Sequence, residues 1–262
     1  MTPVGGDGGD NGRMPTGPLP DTLAAPLRPA AGFVSFTEVE AGAHRSYNEW
    51  HLFDHLPEQY ALPGVVGGQR WVLTPALAAT SVATAPLDRA HYVTLYLLAE
   101  PLDVTLTDFL HHGVALAKAG RFHERRTSHL AGALAVESAR AAPRVQVQAG
   151  AVPFQPHTGV HLRLEPNDGG RPAPVPLTDA LLGIPGVAGV WTFAGAVPGD
   201  GPAAGLRLTC AWLDGEPGEL ATALAGALPP PKAGGGAGVD GGPTFAATLA
   251  AIDPEAPFDW FD

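Results

Sequence analysis

The pentapeptide PGVVG at residues 63–67 returns as PGVAG at residues 185–189, 122 residues further along the chain. An aliphatic residue precedes each copy, and a strand-like stretch containing a tryptophan follows each, with Trp71 in the first and Trp191 in the second. Proline cannot continue the hydrogen-bond ladder of a helix, and glycine tolerates the turn beyond its end. Each copy therefore predicts the end of a helix followed by a strand, and the pair predicts an internal repeat.

The apolar patterns around the two copies predict the same order of elements, β-α-β-β-α-β. β-Branched and aromatic residues favour the strands, and alanine and leucine at helical spacing favour the helices. In the first half, strands are predicted at 32–39, 68–73, 91–98 and 130–137, and helices at 45–60 and 104–119. In the second half, strands are predicted at 159–165, 187–194, 205–213 and 244–252, and helices at 177–182 and 216–228.

This order is that of the ferredoxin-like unit, a four-stranded antiparallel sheet with both helices on one face. The bare face of each sheet needs a cover, which the other copy would supply. We therefore expect an α+β fold in which two ferredoxin-like units form a pseudo-dimer within one chain, with a further homodimer left open. The expected division is a disordered leader (1–29), a first unit (30–141), a linker (142–156), a second unit (157–253) and a tail (254–262).

Composition excludes several classes of function. The formal charge is −11, and the sequence has no sizeable lysine and arginine cluster, so nucleic acid and anionic membranes are unfavourable partners. No apolar stretch approaches the ~20 residues of a membrane span, and the first 29 residues lack the apolar segment of a signal peptide. The single cysteine, Cys210, is expected to be a buried structural thiol. These features predict a soluble cytoplasmic protein.

The stretch SYNEWHLFDHLPE at residues 46–58 carries the chemistry. At about 100° per residue, the aromatic and aliphatic side chains of this helix share one side and should pack on the sheet. A polar stripe occupies another side and consists of Asn48, His51, His55 and Glu58, with Asp54 beside it. Pro57 is expected to end or kink the helix just after His55.

Three interpretations of the stripe remain open at this point. The first is a solvated polar face. The second is acid–base catalysis, in which Glu58, three residues beyond His55, fixes the imidazole tautomer and raises its pKa. The third is metal binding by His51 and His55, whose spacing suits a divalent ion, although no zincin pattern follows.

The run from Asn48 to Glu58, followed by ALPGVVGGQRW at residues 61–71, resembles the signature of EthD-like proteins in the dimeric α+β barrel superfamily. The remainder of the chain agrees with that superfamily only in the order of its elements. Its members include cofactor-free decarboxylases, dehydratases and cyclases, anthrone-type monooxygenases, muconolactone-type isomerases, stress-response proteins and haem-binding branches.

The resemblance implies a cavity between the sheet and the helices, with His55 near it. For Arg70 and Trp71, at the start of the following strand, two interpretations remain open: a position near the same cavity, or a surface arginine and a core tryptophan. We expect the sheet of the second unit to seal this hollow. In the second half, the positions that correspond to His51, Asp54, His55 and Glu58 at the same offset of 122 hold Ala173, Pro176, Leu177 and Ala180. The second half is therefore expected to close the first rather than to hold a second site. The remaining histidines there, His157 and His161, lie at a strand, which argues against a haem site like that of tandem relatives.

The leading hypothesis is a cofactor-independent enzyme acting on an aromatic or polyketide-like small molecule by proton transfer, as a lyase, isomerase or cyclase. The predicted catalytic residues are His55, His51, Asp54 and Glu58. The predicted substrate-binding residues are Asn48, Arg70, Trp71, His91 and His111. No cofactor or metal is expected. The alternatives are a cofactor-free anthrone-type monooxygenase and a non-catalytic metabolite-binding or stress-response protein.

Overall fold

The computed structural model describes residues 28–167, 175–195, 197, 201–229 and 244–261. The predicted leader up to residue 27 and Ala173 therefore lie outside the described residues. The strands are β1 (Pro29–Val39), β2 (Val65–Val72), β3 (Val82–Ala83), β4 (Tyr92–Ala99), β5 (Arg126–Ala141), β6 (Gly159–Pro166), β7 (Val187–Ala194), β8 (Leu206–Leu213) and β9 (Phe245–Ala251). The α-helices are α1 (His44–Trp50), α2 (Leu56–Tyr60), α3 (Pro75–Ala78), α4 (Leu102–Lys118), α5 (Val175–Leu182) and α6 (Pro217–Ala227).

Every strand and helix predicted from the apolar patterns is present, with ends displaced by a few residues. The largest difference is β5, which begins at Arg126 rather than at residue 130. The short elements α3 and β3 were not predicted, because four and two residues are too few to show a period. The stretch predicted as a linker contains a 3₁₀ helix at Ala149–Phe154.

Eight of the strands form a closed antiparallel barrel. The order is β2-β4-β1-β5-β7-β8-β6-β9, and β9 pairs back with β2 through Trp71 opposite Ala251 and Val72 opposite Ala250. The short β3 adds to the other end of β9. The four barrel strands of the first half lie in the order β2-β4-β1-β5, and those of the second half in the order β7-β8-β6-β9. If the four are counted along the chain, both orders are second, third, first and fourth.

Side chains fill the inside of the barrel. Trp71, Trp191 and Trp212 lie in this core, and the rings of Trp191 and Trp212 meet edge to face with centroids 5.7 Å apart. Cys210 is also buried there, as predicted, and burial raises the pKa of its thiol well above the ordinary value. Because the strands alternate their side chains between the two faces, the residues next to these point outward towards the helices.

The helices cover the outside of the barrel. Leu106 and Phe109 of α4 pack on Tyr96 and Leu98 of β4, while α5 and α6 pack on the strands of the second half in a separate cluster. None of the helices in the described ranges has the length and hydrophobicity that crossing a bilayer demands.

Candidate functional site

The helix predicted at residues 45–60 is continuous but changes its winding at the histidines. Between α1 and α2, residues His51–His55 form a π-helical turn, and the backbone N–H of Leu56 donates to the carbonyl of His51 five residues earlier. Pro57 has no N–H to donate, and the wide turn before it lets the chain continue rather than end after His55. The imidazole rings of His51 and His55 face each other edge to face, with centroids 5.1 Å apart.

A cavity of about 330 Å³ lies beside these two histidines. Its walls are α1, the π-helical turn and α2, then α4 and the segment after it, and the outward-facing side chains of β1, β4 and β5. The polar lining residues are Ser35, Thr37, Tyr47, His51, His55, Gln59, Thr94, Tyr96, Arg126 and Ser128. The remaining lining residues are Phe33, Trp50, Phe109, Leu110, Gly113, Val114, Ala117, Phe122 and Ala131.

The cavity is lined by residues of the first half, from Phe33 to Ala131. The expectation that the sheet of the second unit seals it is therefore wrong. The second half completes the barrel and covers the inner face of the first sheet, which is filled by the tryptophan core. The hollow lies on the opposite face of that sheet, under the helices.

Both histidines are in their neutral form at pH 7. The half-buried ring of His55 stacks on Trp50, with centroids 4.7 Å apart, and burial together with the charge of Arg126 lowers its pKa to about 4. His51 is only 5% exposed, and burial together with the charge of Arg70 lowers its pKa well below the ordinary value. The predicted rise in the pKa of His55 is therefore wrong in direction, because desolvation favours the uncharged imidazole.

Asp54 and Glu58 are engaged elsewhere. The guanidinium of Arg121 donates to Asp54 Oδ1 and to Glu58 Oε1, each at 2.5 Å, on the exposed side of the helix. The indole of Trp50 donates to the carbonyl of the same arginine at 2.9 Å. The two carboxylates thus hold the segment after α4 against the helix and bring Phe122 over His55, instead of orienting the imidazole as predicted.

Arg126 is a cavity-lining cation that the sequence analysis did not identify. Its guanidinium lies over the ring of Phe122 at 4.5 Å and over that of Trp50 at 5.9 Å, and within the described ranges no carboxylate forms an ion pair with it. Burial lowers its pKa. The predicted strand began at residue 130, which left Arg126 in a loop; the longer β5 instead aims it into the cavity.

Asn48 and Arg70 form a buried layer behind His51 rather than part of the cavity wall. Asn48 donates to the carbonyl of His44 at 2.9 Å and to the hydroxyl of Tyr92 at 3.0 Å, and it accepts from Arg70 at 3.1 Å. Neither side chain lines this cavity, so direct contact with a ligand bound in it is not expected. Arg70 acts on the site through its charge, which lowers the pKa of His51.

The other three predicted binding residues lie outside the cavity. Trp71 follows the outward-facing Arg70 and therefore points into the barrel core. His91 accepts from the backbone N–H of Val39 at 3.1 Å and packs on Phe261 at an end of the barrel. His111 is exposed on α4. None of these three side chains lines this cavity, although Trp71 lines a separate one of about 220 Å³.

Among the residues that the structure describes, His51 and His55 have no third ligand of the kind a metal needs. Within the described ranges, His, Cys, Asp and Glu side chains do not assemble into a group of three or more that could hold an ion. A smaller cavity of about 140 Å³ is lined by His161 and Arg163 of the second half and by Thr80 and Val82 of the first. Burial and the charge of Arg163 lower the pKa of His161 to about 4, and its Nδ1 is hydrogen-bonded to Thr248 at 3.0 Å.

The depressed pKa values predict acid sensitivity of the fold. In the unfolded chain these histidines take up a proton near pH 6.5, but His55 and His161 do so only near pH 4 in the folded chain. Between those values the unfolded state binds more protons, so stability falls as pH falls, by up to about 1.4 kcal/mol per pH unit for each such group. We expect the free energy of unfolding, measured in urea, to decrease steadily over this window.

The matched variants for this prediction are His161→Gln and His111→Gln. The first removes one depressed group and should flatten the pH dependence, whereas the second replaces an exposed histidine and should leave it unchanged. A pH dependence that His161→Gln does not alter would show that this imidazole is not desolvated in the folded state.

Comparisons with known proteins give a distant structural likeness. No family model and no curated protein matches the chain. Among solved structures, a chlorite dismutase-like protein is 9% identical, with 87% of this chain and 96% of that chain covered and a TM-score of 0.48. An anthrone oxidase-like protein is 10% identical, with 86% and 92% covered and a TM-score of 0.43. A monooxygenase-like protein from Lactobacillus acidophilus NCFM is 9% identical, with 86% and 96% covered and a TM-score of 0.39.

Proposed function

We propose that this chain is a cofactor-independent enzyme that removes a proton from an aromatic or polyketide-like small molecule, in a lyase, isomerase or cyclase reaction. The observation that carries the proposal is the composition of one cavity: two neutral imidazoles and a guanidinium without a carboxylate partner in the described ranges, set among aromatic and aliphatic side chains. His55 is the base, His51 holds a polar atom of the substrate, and Arg126 stabilises the anion that forms.

The availability of the base supports this role. General base catalysis requires an unprotonated imidazole, and burial keeps His55 in that form throughout the neutral range. An isolated base with a pKa of about 4 is weak. An anion that develops on the substrate beside His55 favours the charged imidazolium, so the pKa of the ring rises as the proton moves.

The position of Arg126 in the cavity supports a role in stabilising the substrate anion that remains after the proton has moved to His55. When a proton leaves a carbon or oxygen next to a conjugated system, the electron pair spreads into that system and reaches its oxygen atoms. A fixed cation in a largely apolar cavity stabilises such charge more strongly than the same cation does in water. Phe122 and Trp50 hold the guanidinium in place before the substrate arrives.

We also propose that the chain is a tandem of two ferredoxin-like units related to EthD-like proteins, working in the cytoplasm. The identical strand order of the two halves and the repeated pentapeptide support the tandem origin. The second half would then have kept the barrel strands while its helix lost the polar stripe, since Leu177 packs in the apolar cluster of that half.

The experiment that tests the function uses a probe with an acidic C–H. The full chain should accelerate hydrogen–deuterium exchange at the CH₂ group between the ring and the carbonyl of 2-tetralone in D₂O, followed by proton NMR, and 2-naphthoate should inhibit it competitively. An exchange rate equal to that of buffer, with 2-naphthoate still bound, would favour the non-catalytic metabolite-binding alternative. Oxygen-dependent consumption of the probe would favour the monooxygenase.

Arg126→Met should weaken binding of the anionic inhibitor. A hydrogen bond to a charged group is worth about 1.5–3 kcal/mol, so we expect the Kd of 2-naphthoate to rise by roughly 10- to 100-fold in isothermal titration calorimetry. The control is Arg125→Met, which removes the neighbouring guanidinium that binds Glu40 on the surface. If the two substitutions raise the Kd of 2-naphthoate equally, binding depends on the net charge of the protein and not on a cation in the cavity.

A further inference from the structure

One wall of the cavity is an apolar face of α4 that contains two small residues, Gly113 and Ala117. Leu110, Gly113, Val114 and Ala117 follow one another at helical spacing and all line the cavity. Leu110 is 47% exposed and Val114 is 51% exposed, so this face of α4 both lines the cavity and reaches the surface.

On this face of α4, neither the backbone conformation nor close packing explains why residue 113 is glycine. Glycine in a helix interior costs about 1 kcal/mol relative to alanine. At Gly64 a positive φ of 83° explains the glycine, and at Gly159 an added Cβ would lie 2.3 Å from the carbonyl oxygen of Leu249. At Gly113 an added Cβ would meet no atom within 4 Å, and the backbone is ordinary helix.

We propose that Gly113 determines the size of the substrate, which rests on the proposed function above. The rings of the substrate lie against the bare backbone of α4 at Gly113, with the anionic group at Arg126 and the reacting C–H at His55. Glycine allows a ligand to approach the helix backbone closely, which a side chain would prevent. A side chain at this position should therefore exclude fused-ring ligands while a single ring still fits.

The experiment compares two aromatic carboxylates with the full chain and its variants. Gly113→Leu should raise the Kd of 2-naphthoate by at least about tenfold, as expected when a side chain blocks an apolar pocket, and should change the Kd of benzoate less than about threefold. Gly113→Ala should give an intermediate effect on 2-naphthoate and a higher melting temperature. The control is Gly226→Leu in α6, where an added Cβ also meets nothing within 4 Å and no described cavity is lined by the residue.

The outcomes separate this inference from the proposed function. If the wild-type chain binds 2-naphthoate and both Gly113 variants bind it with the wild-type Kd, the size-determining role is wrong and the proposed function is unaffected. If Gly113→Leu fails to fold, the Gly113→Ala variant decides by the same comparison of the two carboxylates. If the wild-type chain binds neither carboxylate, both the proposed function and this inference are wrong.

Discussion

Replacing His55 with glutamine is expected to lower the rate of 2-tetralone exchange by roughly 10²- to 10⁴-fold, the usual contribution of a general base. Glutamine keeps a polar side chain of similar length but cannot accept the proton. The imidazole of His55 is held between Trp50 and Phe122, and its remaining edge faces His51 and the cavity. Because these ring contacts are lost as well, a modest decrease in stability is expected, and the exchange rate is compared at a temperature at which both proteins are fully folded.

Two controls make this result specific. His111→Gln replaces an exposed histidine of α4 and should exchange 2-tetralone at the wild-type rate. Binding of 2-naphthoate to His55→Gln should stay within a few-fold of wild type, because Arg126 still provides the anion site. A His55→Gln variant with the wild-type exchange rate would show that another group is the base.

Replacing Trp191 with alanine is expected to destabilise the fold by about 3–5 kcal/mol, the usual cost of removing a buried large aromatic residue. Trp191 is 2% exposed, packs against Trp212, and donates from its indole to the carbonyl of Ala149 at 3.0 Å. The substitution leaves a void in the barrel core and an unpaired carbonyl. Urea unfolding followed by circular dichroism measures the change.

The control for the core is Phe53→Ala. Phe53 is 64% exposed in the π-helical turn, so its loss should change the free energy of unfolding by less than about 0.5 kcal/mol. If both substitutions cost the same, the tryptophan side chains would not form the core of a closed barrel in solution.

The order of elements could be predicted because it is a local property. The β-branched and aromatic runs and the Pro-Gly stops at residues 63–64 and 185–186 report on the backbone of their own segments, and the strands are where these patterns place them. Barrel closure is not local: it depends on the pairing of Trp71 and Val72 with β9, which joins residues far apart in sequence.

The site could be predicted only in part, for the same reason. The helical stripe correctly brought together His51 and His55, which lie on one helix. The partner of Asp54 and Glu58 is Arg121, which lies in the segment after α4, and the helical period of residues 46–58 carries no sign of it. Arg126 was missed because strand ends are poorly marked in sequence, and the face of a residue follows from where its strand begins.

The pH dependence of 2-tetralone exchange tests the central claim most directly. The claim is that desolvation beside Arg126 keeps His55 neutral and makes it the base. We predict that the enzymatic rate is constant from about pH 8 to 5 and falls with a midpoint near pH 4, the pKa of His55, with folding monitored in the same samples by circular dichroism. A midpoint near 6.5, the ordinary value for histidine, would contradict this account.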